Sequence, residues 1–273
     1  MRFVAAVIAC LLLLPVALDL VAGLLAHVAH RRCQGQTGPG LAIFVESIRW
    51  LGVRWGMRRA EAGLRLAGFE GELLYWRWHA GWRGWLVLPA IVDAALIERQ
   101  SRKLADFIAQ RRLARPHEKI FLLGYSSGGF VAIRALELLD EAPAVDGAAV
   151  LAGAFDPRRD LSRAARRVQG GLVVSSSAMD WLIVGLGTLV FGGADRRHGL
   201  SIGMLGPIGR GPSTGAEGRR IITVRWRPGL VRLGHLGGHF SSCASRFIAG
   251  HVAPAMGVRP CESGEPDCTS GRR

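Results

Sequence analysis

Three Gly-x-Ser-x-Gly pentapeptides occur in the chain, and each could present a serine hydroxyl for nucleophilic chemistry. They are GYSSG at Ser126, GLSIG at Ser201 and GPSTG at Ser213. The pattern has a catalytic meaning only where a buried strand precedes the serine and a helix follows it, because that sharp turn lifts the hydroxyl above a sheet. The turn also requires small neighbours, since strand and helix approach each other closely.

Only Ser126 has this sequence context. The apolar run IFLL at 120–123 predicts a buried strand before it, and the apolar pattern over 130–139 predicts a helix after it. Ser201 follows the polar run DRRH, and Ser213 lies in the Gly- and Pro-rich stretch GPIGRGPSTGAEG, which predicts a loop. We therefore predict Ser126 as the nucleophile and loop positions for Ser201 and Ser213.

A serine nucleophile needs a base to take its proton, and the base needs a carboxylate to fix its tautomer. Asp180 directly follows the strand-like segment GGLVVSSSA and is the favoured acid. Asp156 follows the preceding strand-like segment, and Asp195 lies further along in a loop; both remain alternatives. Each of the three could instead cap a helix or a turn, as Asp commonly does between a strand and a helix.

The candidate bases lie in RLGHLGGHFSSCASRF, between the last predicted strand and the last predicted helix. His239 is the nearer to that helix and is favoured, with His235 as the alternative and His198 as a more distant one. Two histidines four residues apart can also bind zinc on a helix, but Gly237 and Gly238 disfavour a helix between them. We predict neither a metal nor another cofactor.

Strand-like and helix-like segments alternate from about residue 41 onward. The strand-like segments are 41–46, 71–79, 120–123, 145–153, 170–178 and 219–226. The helix-like segments are 56–68, 91–113, 130–139, 160–168, 181–193 and 241–256. This alternation predicts an α/β fold with a mostly parallel sheet and helices on both faces.

A strand–GYSSG–helix unit within such a chain resembles the α/β-hydrolase family, over about residues 40–257. The resemblance implies a catalytic triad in the chain order serine, acid, histidine, which Ser126, Asp180 and His239 follow. It also implies an oxyanion hole formed by the main-chain N–H of Ser127 and by a second N–H after the first strand. Many members have His-Gly at that second place, whereas this chain has Glu46-Ser47, so Ser47 would supply the N–H.

The N-terminus is almost entirely apolar over residues 3–29, where Asp19 and His27 are the only ionisable residues. This length exceeds the roughly 20 residues that span a bilayer. We predict a membrane anchor over residues 1–32, and the alternatives are a cleaved signal segment with an exported protein, or a helix of the soluble core. A hydrolase-like domain over 40–257 and a polar, disordered tail over 258–273 complete the predicted organisation.

The formal charge of +14 raises the question of a nucleic-acid partner. All but two of the 35 basic residues are arginine, and they are scattered rather than gathered into a basic block interleaved with aromatic residues. We therefore predict a solvated basic surface and no specific nucleic-acid partner. The five cysteines form no C-x-x-C pair and predict no metal site.

Together these features predict a membrane-anchored serine hydrolase, esterase- or lipase-like, that forms an acyl-enzyme on Ser126. The substrate would be a small-molecule or lipid acyl ester. The apolar segment WLIVGLGTLVFGG after the predicted acid would be a buried helix or a lid that contacts lipid. The alternative is a non-catalytic scaffold of the same fold at the membrane, which the Glu46-Ser47 loop would favour.

Overall fold

The computed structural model describes residues 13–25, 38–46, 56–79, 93–140, 144–208 and 221–259. Six strands form one sheet in the order β2-β1-β3-β4-β5-β6, and every neighbouring pair is parallel. They are β1 Leu41–Val45, β2 Glu72–Trp76, β3 Ile120–Tyr125, β4 Gly147–Leu151, β5 Leu172–Ser176 and β6 Ile221–Arg225. The predicted parallel sheet is confirmed, and the carboxyl ends of all six strands therefore lie at one edge.

Helical segments connect the strands and cover the sheet. After the N-terminal helix α1, described over 13–25, they are α2 Met57–Leu66, α3 Ala94–Ala114, α4 Ser127–Leu138, α5 Ser162–Arg166, α6 Thr188–Phe191 and α7 Ile202–Leu205. The predicted single helix over 241–256 is wrong in detail. The segment consists of four short pieces, which are a 3-10 turn Phe240–Cys243, α8 Ser245–Phe247, a π-helical turn Ile248–Val252 and α9 Ala253–Ala255. Pro254 lies in this segment and cannot donate a main-chain hydrogen bond, which disfavours a regular α-helix there.

The two faces of the sheet bury two separate hydrophobic clusters. Leu41, Ile43 and Val45 of β1 point into one cluster, with residues of α3 and α4. Ala42 and Phe44 of the same strand point into the other, with residues of α2 and the C-terminal helical segment. Because the central strands are covered on both sides, they have the continuous apolar sequences of a buried parallel sheet rather than an alternating pattern.

Helix α1 packs against the protein along one face. Asp19 and Gly23 are buried, and Leu20 packs against the second cluster. Leu14, Leu18, Val21 and Leu25 recur at helical spacing on the opposite face and are each at least half exposed. Among the described residues, no helix is long and apolar enough to cross a membrane. Residues 1–12 and 26–37, which include most of the predicted anchor, lie outside the described ranges, as does most of the predicted tail.

The apolar segment after Asp180 is helical, as predicted. It consists of a π-helical turn, Leu182–Gly187, that runs into α6. Val184 and Thr188 are buried, whereas Leu186, Leu189, Val190 and Phe191 are all more than 40% exposed. The segment therefore covers the protein with one side and presents an apolar side to solvent.

Candidate active site

Ser126 lies in the one-residue turn between β3 and α4, with φ 56° and ψ −124°. Positive φ is rare for a residue with a side chain and costs on the order of 1–3 kcal/mol. Three main-chain hydrogen bonds hold the turn. Ser126 N–H donates to the carbonyl of Leu151 at the end of β4 (2.9 Å), and its own carbonyl accepts from the N–H groups of Gly129 (3.0 Å) and Ala154 (3.2 Å). Hydrogen bonds to the end of β4 and to the residues after it therefore help to hold the strained conformation of Ser126.

Glycines around the serine allow this turn. A Cβ at Gly124 would lie 2.6 Å from the Cα of Gly129, and a Cβ at Gly128 would overlap the carbonyl oxygen of Glu46. Helix α4 therefore begins in direct contact with β3 and with the end of β1, which only glycine permits at these positions. The sequence GYSSGG explains why the strand can turn into a helix within one residue.

Asp180 and His239 form a buried pair at the same edge of the sheet. Asp180 follows β5 by four residues, and His239 follows β6. The His239 Nδ1–Asp180 Oδ2 distance is 2.7 Å, and the two side chains are only 5% and 3% exposed. A carboxylate accepts at Nδ1, so Nδ1 carries the ring proton and Nε2 has a free lone pair. This is the arrangement that a general base requires.

The carboxyl of Asp180 titrates in an apolar environment. Burial raises its pKa, while His239 and a main-chain hydrogen bond from Val184 oppose the rise. The carboxylate of Asp19 adds to the rise, although it lies on the N-terminal helix α1. Asp180 therefore depends on its partners, His239 above all, to stay ionised.

Tyr125 connects the His239 loop to the serine turn. Its hydroxyl donates to the main-chain carbonyl of His239 (3.2 Å), and the two ring centroids are 5.1 Å apart. The Ser242 hydroxyl donates to the same carbonyl at 2.8 Å. Burial raises the pKa of Tyr125, so the phenol stays protonated as a donor. Because Tyr125 directly precedes Ser126, the two parts of the site share one support.

Among the residues that the structure describes, no hydrogen bond joins Ser126 Oγ to His239. Bonds between a nucleophile and its base are often long in the absence of substrate and tighten when substrate binds.

Ser127, the first residue of α4, is buried, and its main-chain N–H belongs to the first turn of that helix, where N–H groups have no intrahelical partner. Ser47 and Ser213 lie outside the described residues.

His235 has a different environment from His239. Its Nδ1 accepts from the N–H of Gly237 (3.3 Å) and lies 3.2 Å from the hydroxyl of Ser241, and its ring packs on Phe247. Burial, with a smaller effect of Arg59, lowers its pKa to about 3. The ring is thus neutral at ordinary pH, and its hydrogen bonds hold the loop that carries His239.

The alternative acids take part in other contacts. Asp156 accepts from Arg197 at 2.6 Å, and Asp195 accepts from the N–H of Asp156 at 2.9 Å. His198 is exposed and bonds the carbonyl of Leu189. None of these groups contacts His239 in the described structure, whereas Asp180 does.

Ser201 lies outside the helices and strands, as predicted. It is buried, directly precedes α7, and its hydroxyl donates to the carbonyl of Val184 (2.7 Å). A cleft of about 460 Å³ is lined by Ser201, Asp156, Arg197 and His198, but not by Ser126, Asp180 or His239. The hydroxyl of Ser201 is therefore occupied in fixing the segment after Asp180.

Asp19 and Tyr125 are the two site residues that the sequence analysis missed. The carboxylate of Asp19 accepts from the N–H groups of Phe240 (2.7 Å) and Ser241 (3.0 Å), immediately after His239. The signal that could have pointed to Asp19 is its isolation, because an acid within an apolar stretch needs a specific partner. Tyr125 lies within the GYSSG motif but carries no signal of its own.

No protein-family model and no curated protein matches the sequence. Solved structures similar to the chain include a cutinase-like protein from Cryptococcus sp., 16% identical with a TM-score of 0.44, covering 82% of this chain and 98% of that one. They also include Trichoderma reesei cutinase in complex with a C11Y4 phosphonate inhibitor, 12% identical with a TM-score of 0.39, covering 93% and 90%. A lipase-esterase related protein from Clostridium acetobutylicum ATCC 824 is 16% identical, with a TM-score of 0.31, over 46% of each chain.

The fold can be identified from the chain's own topology. The parallel sheet, the strained serine between β3 and α4, and the aspartate and histidine that follow β5 and β6 occur in the order that the sequence predicted. The chain has the fold of the α/β-hydrolase superfamily.

Proposed function

We propose that the chain is a serine ester hydrolase, with Ser126 as nucleophile, His239 as general base and Asp180 as the carboxylate that orients the base. The observation that carries this proposal is the buried 2.7 Å hydrogen bond between His239 Nδ1 and Asp180, at the same sheet edge as Ser126. Structural histidines also bond carboxylates. The strained φ of Ser126, at the end of β3 in the same sheet, favours the catalytic interpretation.

In the first half of the reaction, Ser126 Oγ attacks the ester carbonyl carbon while its proton passes to Nε2 of His239. The ring becomes cationic, and Asp180 stabilises that charge. The carbonyl oxygen becomes an oxyanion, which the main-chain N–H of Ser127 stabilises as one donor. His239 then gives its proton to the leaving alcohol, and the acyl group remains on Ser126.

In the second half, water replaces the alcohol. His239 takes a proton from the water, the resulting hydroxide attacks the acyl carbon, and the bond to Ser126 Oγ breaks as Oγ regains a proton from His239. The products are the carboxylic acid and the free enzyme. No metal ion or organic cofactor has a role in these steps.

An apolar acyl ester is the substrate class that the surroundings favour. The exposed side chains of Leu186, Leu189, Val190 and Phe191 follow Asp180 directly along the chain. The exposed stripe of Leu14, Leu18, Val21 and Leu25 lies on α1, whose other face contacts the His239 loop. One apolar surface that follows Asp180 along the chain, and another on the helix that contacts the His239 loop, suit an enzyme that works against a lipid surface. The chain's positive charge would favour anionic lipids.

A non-catalytic scaffold of the same fold is the second candidate. Two observations favour it: the described structure has no hydrogen bond between Ser126 Oγ and His239, and Glu46, whose main-chain carbonyl lies against the start of α4, is buried. A buried carboxylate close to the oxyanion would oppose its developing charge.

Fluorophosphonate labelling separates the two candidates, because the reagent reacts only with an activated serine. We expect wild-type protein to be labelled and Ser126→Ala to be unlabelled. Ser201→Ala and Ser213→Ala are the controls, since each alters a serine in the same pentapeptide pattern, and both should still be labelled. An unlabelled wild-type protein that is folded by circular dichroism would reject the hydrolase and support the scaffold.

A further inference from the structure

The N-terminal helix α1 is bound directly to the loop that carries His239. Both carboxylate oxygens of Asp19 are used: Oδ2 accepts from Phe240 N–H at 2.7 Å and Oδ1 from Ser241 N–H at 3.0 Å. The side chain is 1% exposed although it is ionisable. Burying a carboxylate is unfavourable unless its oxygens are bonded, so these two N–H groups determine where the helix binds.

The loop is shaped to receive this carboxylate. A Cβ at Gly238 would overlap the Cγ and Oδ2 of Asp19, so any larger residue would displace the acid. Gly238 does not have a positive φ, unlike its neighbour Gly237. Space for Asp19, rather than backbone conformation, is therefore the reason for glycine at 238.

The two N–H groups lie immediately beyond the imidazole. Phe240 and Ser241 begin the 3-10 turn that follows His239, so a shift of either one moves the His239 backbone. On the other side, Tyr125 and Ser242 hold the His239 carbonyl. Asp19 holds the N–H groups of Phe240 and Ser241, which follow this carbonyl along the chain.

We infer that Asp19 is a positioning residue of the active site, which holds the loop 238–241 so that His239 stays aligned between Asp180 and Ser126. Helix α1 is accordingly part of the site as well as a candidate membrane contact. The effect on catalysis rests on the proposed hydrolase function, whereas the effect on the loop does not.

Asp19→Asn is the most direct test, because it preserves shape but leaves only one oxygen for two N–H donors. The amide NH₂ then faces an N–H group, and one of the two bonds is lost. Gly238→Ala tests the same contact from the opposite side. The matched controls are Ala17→Asn, at an exposed position of the same helix, and Gly229→Ala, where a Cβ would meet no atom within 4 Å.

Two measurements are made on the full-length chain, at a temperature where every variant is folded by circular dichroism. The first is hydrogen–deuterium exchange of peptides that cover 238–243. The second is the rate of fluorophosphonate labelling, with kcat and KM for a short soluble ester. We expect Asp19→Asn and Gly238→Ala to exchange at least about tenfold faster in this segment and to lose about 10- to 100-fold in labelling rate and kcat with little change in KM. Both controls should match wild type.

The possible outcomes differ for the two proposals. Unchanged exchange in both Asp19→Asn and Gly238→Ala would overturn the inference, and so would faster exchange with an unchanged labelling rate, because the contact would then be structural only. If wild-type protein is not labelled at all, the proposed function fails, and faster exchange in the two variants would still establish that Asp19 holds the loop.

Discussion

Acidification should destabilise the protein through His235, the buried histidine that is not the predicted base. Its pKa in the folded protein is about 3, because burial disfavours the charged ring and Arg59 adds a smaller effect. In the unfolded chain an imidazole has a pKa of about 6.5. Between these two values the unfolded state binds more protons than the folded state. The free energy of unfolding therefore falls as the pH falls below about 6.5, and continues to fall until about pH 3.

The size of this effect follows from the two pKa values. At pH 5 the unfolded imidazole is protonated in a ratio of about 30 to 1, whereas the folded one is almost entirely neutral. RT ln 30 corresponds to about 2 kcal/mol lost between pH 8 and pH 5. With a urea dependence of about 2–3 kcal/mol/M, the unfolding midpoint should fall by roughly 0.7–1 M from this residue alone.

Urea unfolding at pH 5, 6, 7 and 8 measures the effect as a difference between variants. His235→Asn places an amide oxygen near the position of Nδ1, which accepts from the N–H of Gly237, and removes the titrating ring. The variant should be less stable than wild type at pH 8 and should lose about 2 kcal/mol less on going to pH 5. His198→Asn, at an exposed position, is the matched control. Parallel pH profiles for wild type and His235→Asn would refute the argument that burial keeps this ring neutral.

Four further outcomes test the site and the surface. Asp180→Asn should slow fluorophosphonate labelling about 10³- to 10⁴-fold because it favours the wrong tautomer of the base; a loss below tenfold would argue against this acid. Tyr125→Phe removes the 3.2 Å bond to the His239 carbonyl and should lower the free energy of unfolding by about 1 kcal/mol in urea titrations, and an unchanged midpoint would count against that bond. Gly128→Ala, whose Cβ would overlap a main-chain oxygen, should lower the thermal midpoint far more than Gly229→Ala does, whereas equal midpoints would contradict the tight strand–helix contact. Leu18→Gln should reduce flotation with anionic vesicles, and undiminished flotation would remove the exposed stripe of α1 from the membrane proposal.

The central part of the sheet was predictable because its four central strands are buried on both faces. Continuous apolar runs such as IFLLGY and LAIFV have few alternatives in a chain that also contains amphipathic helices, and each became a fully buried strand. The strained turn at Ser126 was predictable for a local reason as well, because its requirement for glycine is met within six residues. The C-terminal segment was less predictable, since its apolar spacing fits a helix and only Pro254 indicates an interruption.

The sequence favoured His239 over His235 only because it is nearer to the last helix, since both residues lie in one loop and are four residues apart. Three-dimensional structure separates them by their partners: one ring contacts a carboxylate and the other contacts a hydroxyl and a main-chain N–H. The catalytic roles of Ser126, Asp180 and His239 remain predictions, and the labelling experiment tests them.

The N-terminal segment shows most clearly what a hydropathy pattern leaves out. An average over residues 3–29 treats Asp19 as one polar residue among many apolar ones and so predicts a membrane segment. In hydrocarbon the burial of that carboxylate would cost several kcal/mol. In the folded chain it accepts hydrogen bonds from the N–H groups of Phe240 and Ser241, which lie more than 200 residues further along the chain. The helical repeat places Asp19 and Gly23 on one face and the exposed leucines on the other, so a single helix can hold the His239 loop and also present an apolar surface. Contact of the exposed face with a membrane surface stays a prediction, which the Leu18→Gln flotation experiment tests.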